Sequence, residues 1–482
     1  MGPPGGNDAP PLPDFDETEG LVPDLTPEGY TPLADNVVVF PGADSAVGLE
    51  DAIAVSFTQH HGATMRFDHN IGKWYQWSET HWRRLEIPVA FHYARQLGRH
   101  EARKRKSGFK SSNAAGAEKF ARADPMHAVT SEIWDRDPLK LGTPKGVINL
   151  STGRLSPPEP VQDITKITGC EPSSKEPTLW LRFLNDATGE DQDMIDYLQT
   201  VAGYCLTGLT TEHALFFIHG PGGNGKSVFI NVLKHIMGDY AVTAAMETFT
   251  ASKFDRHSTE LAMLKGARAV FASETEEGRQ WAEAKVKAIT GGDPITARFM
   301  RQDNFTFNPS FKLVIAGNHA PGLKNVDEAM RRRFHIIPFT RKPKQVDPML
   351  EVKLRSEAPQ ILGWAIRGAK AWQMDGLKKP VAVFEATEQY FEAQDVFGQW
   401  LDERCRVEKE NHYLFTPTTA LFSSYNSFRK EVGEPVVDLK SFTPEMEKAG
   451  FRKTRTPASA GKKMGFEGVE LIGKIDNRMD ND

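Results

Sequence analysis

The stretch Ala214-Leu215-Phe216-Phe217-Ile218-His219-Gly220-Pro221-Gly222-Gly223-Asn224-Gly225-Lys226-Ser227-Val228 decides the fold. Its first six residues form a short apolar run, the pattern of a buried parallel strand. Gly220 through Ser227 then fit GxxxxGK[ST] in full. In such a loop glycines let backbone N–H groups curl around phosphate oxygens, the lysine reaches the β and γ oxygens, and the hydroxyl ligates Mg²⁺. SVFINVLKHIMG continues at helical spacing to Gly238, so the positive end of that helix faces the same phosphates. Strand, glycine loop and helix in this order imply a nucleoside triphosphate site running from Gly220 to Val228.

Working outward, a nucleotide hydrolase needs a second strand that ends in an acid. Arg268-Ala269-Val270-Phe271-Ala272-Ser273-Glu274 provides one, 48 residues after Lys226. Glu274 is expected to orient the attacking water. Ser273 stands where many such enzymes carry an aspartate on the metal, so Glu276 is the next candidate to help Ser227 and Glu274 hold Mg²⁺. A third apolar strand, Phe311 to Ala316, ends in Gly317-Asn318, and an amide at that tip can contact the γ-phosphate. Thirteen to fifteen residues after Asn318 come Arg331, Arg332 and Arg333, just before Phe334-His335-Ile336-Ile337. An arginine so placed is usually delivered to a neighbouring subunit's nucleotide, where it stabilises the charge developing in phosphoryl transfer. Arg332 is the first candidate and Arg333 the second; one of the three can instead pair with acids of its own subunit.

The chain has 482 residues and a formal net charge of −5, but that charge is uneven. Residues 1–50 hold ten acids and no Lys or Arg, which leaves the remaining 432 residues at +5. A polyanionic partner is therefore not excluded by the whole-chain balance. No apolar run approaches the ~20 residues of a membrane span, and no secretory leader is recognisable. Three widely spaced cysteines suggest neither a disulfide framework nor a metal cluster. A soluble, cytoplasmic protein is expected.

The pattern suggests a disordered acidic leader over 1–47 and an N-terminal α+β domain over 48–175, with a hairpin around Asn70-Ile71-Gly72. The ATPase core with its leading helices would span 176–345, a helical connection 346–405, a helix–helix–hairpin domain 406–475 and a polar tail 476–482. Arg95, Arg99 and Arg103 recur every four residues, which puts them on one helix face with Lys104, Arg105, Lys106 and Lys110 close by. Such a face is either simply solvated or a contact for a phosphate backbone.

GPGGNGKS, RAVFASETEEG, KAITGGDPITARFMRQDNFTFNPSFKLVIAGN and the arginines that open RRRFHIIPF fall within 114 residues, from Gly220 to Arg333. Together they resemble a superfamily 3 helicase of the phage, plasmid and poxvirus-type primase–helicase family. The resemblance covers roughly 50–475 and implies an α/β fold. That fold would be a P-loop, AAA+-like ATPase core with an N-terminal α+β domain and a C-terminal winged-helix-like domain. It implies ATP and Mg²⁺ as ligands, Lys226 and Ser227 on phosphate and metal, Glu274 as the catalytic carboxylate and Asn318 as the sensor. It further implies a homo-oligomeric ring, a hexamer, translocating 3′→5′ on single-stranded DNA, with forked or origin DNA and a separate primase or polymerase as partners. PITARFM and NFTFNP would form a hairpin with Arg298, Arg301 and Gln302 on DNA. In the C-terminal domain Lys453, Lys462 and Lys463 would touch DNA, although packing or protein contact stays open there. Relatives often carry a primase domain first; residues 1–50 are too short for one, so no primer synthesis is expected from this chain. Two other readings stay open: an ATP-switched initiator or loader that does not unwind, and an RNA helicase of the same superfamily.

Overall fold

The computed structural model describes residues 48–251, 259–273, 278–300, 303–323, 327–343, 345–455 and 463–472. The expected leader and tail, and Glu274, Glu276, Arg301, Gln302 and Lys462, lie outside the described residues. The chain forms two compact units: one runs to Pro321 and resumes over Arg333–Val383, the other is Gly322–Arg332 with the chain from Phe384. No helix among the described residues is long and apolar enough to cross a membrane.

The first unit is built on helices α1 (Thr178–Thr188) and α2 (Gln192–Leu206), strand β1 (Leu215–His219), helix α3 (Lys226–Met237), and strands β2 (Ala241–Thr243) and β3 (Ala269–Ser273). Helix α4 (Glu283–Gly291), strands β4 (Lys312–Gly317) and β5 (Phe334–Pro338), and helix α5 (Ala358–Asp375) complete it. The strands form one parallel sheet in the order β5-β1-β4-β3-β2. Their near-continuous apolar runs are explained by burial on both faces: Leu215, Phe216, Phe217, Ile218, Leu313, Val314 and Ile315 are all buried. Helices α1, α2 and α5 bring Trp180, Tyr204, Trp364 and Trp372 into a single core with Phe216 and Phe229. Asp191 caps α2 by accepting from Met194 N at 3.0 Å.

Two buried cations close the bottom of this sheet. Arg268 Nη1 donates to Leu206 O at 2.6 Å, and Lys312 Nζ donates to Thr207 O and, at 3.3 Å, to Leu209 O. Both satisfy carbonyls at and just beyond the C-terminal end of α2, where positive charge is favoured. Burial nevertheless pushes the Lys312 ammonium down to about 7.

The same unit holds an N-terminal module. Strands Met65–Asp68, Lys73–Trp77, Trp82–Arg84 and Ala128–Val129 pack against helices Leu49–His61, Val89–Lys104 and Ser111–Ala123. The turn expected at 70–72 joins the first two strands in antiparallel register. Trp74 Nε1 finds Glu118 Oε1 at 2.7 Å inside this core, and Glu118 also takes Arg122. The helix over 111–123 was unreadable from sequence because its buried face is made only of Ala114, Ala117 and Ala121 with Glu118.

In the second unit, helices Val396–Arg404, Thr418–Glu431 and Leu439–Lys448 enclose Trp400, Tyr425, Phe428 and Phe442. A three-stranded antiparallel sheet of Phe415–Pro417, Met464–Glu467 and Lys453–Arg455 covers them. The helix, helix, hairpin order expected for this stretch is present.

Candidate nucleotide site

The chain passes from β1 into α3 through a loop that two glycines make possible. Gly220 (φ +158°) lies so close to Phe339 O that a Cβ would sit 1.9 Å from it. Gly225 (φ +89°) presses against the Phe183 ring, where a Cβ would come within 2.8 Å. Asn224 is pinned from the side, its Nδ2 donating to Phe339 O. Gly222 and Gly223, between them, face open space. The loop is thus fixed at both ends and open in the middle.

Lys226 opens α3 with its side chain folded into the loop. Its Nζ lies 2.5 Å from Gly220 O, 3.0 Å from Asn224 Oδ1 and 3.0 Å from Asn318 Oδ1. Among the described residues all its partners are neutral oxygens. Only 7% of the residue is exposed, and desolvation holds its ammonium below the ordinary lysine range. A buried cation with no carboxylate partner among the described residues suits an anion, and the positive end of α3 points at the same place.

Parallel pairing explains how residues far apart in sequence meet. Ser273 stands opposite Ala316, and Gly317 opposite His219, so the ends of β3, β4 and β1 lie side by side. Asn318 follows β4 directly and reaches Lys226; Glu274 follows β3 directly, outside the described residues. Ligands of open parallel sheets bind at this carboxyl edge. Ser227 is exposed in the first turn of α3.

A cavity of about 650 Å³ opens beside the loop. Leu179, Phe183 and Asp186 of α1 form one wall, Val346 and Leu350 another, with Val228 and the glycines between. Helix α1 is held there by an acid from elsewhere: Glu357 Oε2 accepts from Leu179 N at 2.9 Å and Trp180 N at 3.0 Å. These wall residues escaped the sequence reading. The only sequence signal was the Leu179, Phe183, Ala187 spacing of an amphipathic helix.

The three arginines before β5 have three environments. Arg331 pairs with Glu388 and lies over the Phe391 ring at 5.2 Å. Arg333 is buried, with Nε donating to Thr290 Oγ1 at 3.2 Å. Arg332 is exposed, and its side chain makes no hydrogen bond or ion pair among the described residues.

The expected hairpin is present as Ile295–Ala297 paired with Phe305–Phe307, and Arg298 on it is exposed. Sequence reading stressed its charge and missed its rings: Phe299 stacks on Phe305 at 5.6 Å, with Lys265 Nζ 5.2 Å from the Phe305 centroid. Lys453 and Lys463 are exposed in the second unit.

Residues 54–189 match the family described as D5 N terminal like, and residues 218–333 match a family of unknown function, DUF5906. A protein of Acanthamoeba polyphaga mimivirus with the provisional name helicase L207/L206 is 28% identical over 234 residues, which is 44% of this chain and 24% of the relative. The provisional helicase 022R of Frog virus 3 (isolate Goorha) is 26% identical over 273 residues, 50% of this chain and 28% of the relative. The chain thus spans about a quarter of the length of these relatives. The apo structure of the NrS-1 C terminal region (305–718) shares the fold, with a TM-score of 0.52 at 12% identity, covering 88% of this chain and 100% of that one. Taken together, these matches show a chain that carries a D5 N terminal like segment and is similar to viral proteins provisionally named helicases, with the fold of the NrS-1 C terminal region.

Proposed function

We propose that the chain is the motor of an ATP-dependent DNA helicase in phage or viral replication, working on single-stranded DNA as a ring-shaped homo-oligomer with 3′→5′ polarity. One observation carries this reading: Lys226, desolvated and bonded only to neutral oxygens among the described residues, meets Asn318 at the carboxyl edge of a parallel sheet. In this reading Lys226 binds the β and γ oxygens, and Asn318 marks the γ position from the neighbouring strand. The cavity between α1 and Val346 receives the base. Ser227 would hold Mg²⁺, with Glu274 and Glu276 assigned to the same centre; the ion supplies charge neutralisation of the triphosphate. The exposed Arg332 suits delivery to a neighbouring subunit, while Arg331 and Arg333 are engaged within their own chain.

The hairpin bearing Arg298 is assigned to single-stranded DNA, as are Arg301 and Gln302 at its tip. The second unit is read as a winged-helix-like domain, with Lys453, Lys462 and Lys463 on forked or origin DNA.

Unwinding of a forked duplex by the purified chain with ATP and Mg²⁺ tests the reading. Strand separation should depend on both Lys226 and Arg332, and ATP hydrolysis should respond to single-stranded DNA more than to RNA. Robust hydrolysis with no strand separation on any fork polarity would instead indicate a loader.

A further inference from the structure

The helix Val89–Lys104 buries a stripe of very small residues. Ala90, Ala94, Gly98 and Ala102 face the neighbouring helices, four residues apart. That spacing locks the helix in one rotation and pushes Arg95, Arg99 and Arg103 outward together; all three are exposed. Lys104, Arg105, Lys106 and Lys110 extend the charge past the helix end, also exposed. Residues 89–110 contain seven Lys or Arg and one acid, Glu101, which is not exposed.

A merely solvated face would be expected to neutralise part of this charge, as the same module does elsewhere. Arg84 pairs with Glu86 at 2.7 Å and Arg122 with Glu118 at 2.7 Å. Here, by contrast, Arg95 meets only His92 Nδ1, at 3.2 Å, among the described residues. Arg99, Arg103, Lys104 and Lys106 form no ion pair among the described residues. Like charges four apart on a helix repel, so the arrangement carries a cost that an anionic partner would offset.

We infer that this helix face is a docking surface for the phosphate backbone of double-stranded DNA. The match is one of spacing as well as sign. Residues four apart rise about 6 Å, so the three guanidiniums cover about 12 Å in a straight row. A duplex presents one phosphate charge per ~1.7 Å of its axis, or one per ~3.4 Å of axis for each strand, so a row laid along the axis faces three or four phosphates of one strand. A contact made by guanidiniums on backbone phosphates is expected to be independent of sequence and sensitive to salt. It would hold duplex DNA on the N-terminal module, away from the nucleotide site.

The test is binding of a fluorescein-labelled 30-base-pair duplex to the full chain without nucleotide, across 50 to 200 mM salt. The variant Arg95→Gln/Arg99→Gln/Arg103→Gln should raise Kd at least about tenfold and flatten the slope of log K against log salt by about 2 to 3. The triple Lys variant should bind nearly as the parent does, and an unchanged melting profile of the Gln variant would show that the helix still packs. Lys226→Ala should leave this nucleotide-free binding unchanged, so failure of the ATPase reading and failure of this one are separable. Unchanged affinity and slope in the Gln variant would assign the face to solvent or to the chain's own acidic residues, and overturn the inference.

Discussion

Lys226 Nζ and Asn318 Oδ1 stand 3.0 Å apart, joining the first turn of α3 to the tip of β4 across 92 residues of chain. The bond makes the strand tip a reporter of what the lysine holds. In the proposed nucleotide-bound state, phosphate competes for the ammonium and would leave Asn318 free to face it. Lys226→Ala should therefore lose a charge-assisted contact of about 1.5–3 kcal/mol and weaken ATP binding roughly 10- to 150-fold. Asn318→Ala should leave binding within a few-fold while lowering kcat by about two orders of magnitude, as loss of a transition-state donor does. Equilibrium binding of a fluorescent ATP analogue beside steady-state hydrolysis separates the two.

The parts of this site that were legible in the sequence are those that chemistry restricts to few residue types. Gly220, Gly225 and Lys226 could be named because only glycine tolerates the close approaches to Phe339 O and Phe183 and only a long cation spans the loop. Asn318 was legible because an apolar run announced its strand. The cavity wall was not, because Leu179 and Phe183 are ordinary core residues until tertiary packing sets them beside Gly225. Likewise nothing in RRR distinguishes its members; burial of Arg333 and the Glu388 partner of Arg331 do so only in the folded chain.

That sorting of the arginines gives a second expectation. Arg332→Ala should reduce hydrolysis by about 10³-fold with little change in melting temperature, since its side chain is exposed. Mixing Arg332→Ala with Lys226→Ala protein should restore part of the activity if the arginine acts in a neighbour's site. Arg333→Ala should instead destabilise the first unit by about 1–3 kcal/mol, because Thr290 loses a buried partner and the side chain leaves a hole. Thermal unfolding of the two variants, run beside the mixing assay, distinguishes them.

Helix α1 can be loosened without touching the loop. Glu357 satisfies two backbone N–H groups at its start and also accepts from Thr178 Oγ1 at 3.1 Å. Glu357→Ala should cost about 1–2 kcal/mol of stability, the usual scale for a lost cap. Because Phe183 on this helix packs against Gly225, the same change should raise KM for ATP several-fold with kcat nearly intact. A KM unaffected by the substitution would detach the α1 wall from nucleotide binding.

Lys312 supplies the pH dependence. Burial pushes its ammonium down to about 7, whereas in the unfolded chain a lysine titrates near 10.4. Below pH 7 both states carry the proton and the fold bears the full penalty of a buried charge. Between pH 7 and about 10 the unfolded chain binds more protons than the folded one, so stability rises with pH. The swing from this one group is bounded by about 5 kcal/mol, at 1.36 kcal/mol per unit. Lys312→Met removes the titrating group while filling much of the same space beside the Tyr204 ring, which Nζ approaches to 4.8 Å. Urea unfolding of parent and variant at pH 7, 8 and 9 should show the parent gaining stability relative to the variant at each step. A constant difference across that range would mean that Lys312 keeps an ordinary pKa in the folded chain, its ammonium held by the carbonyls of Thr207 and Leu209.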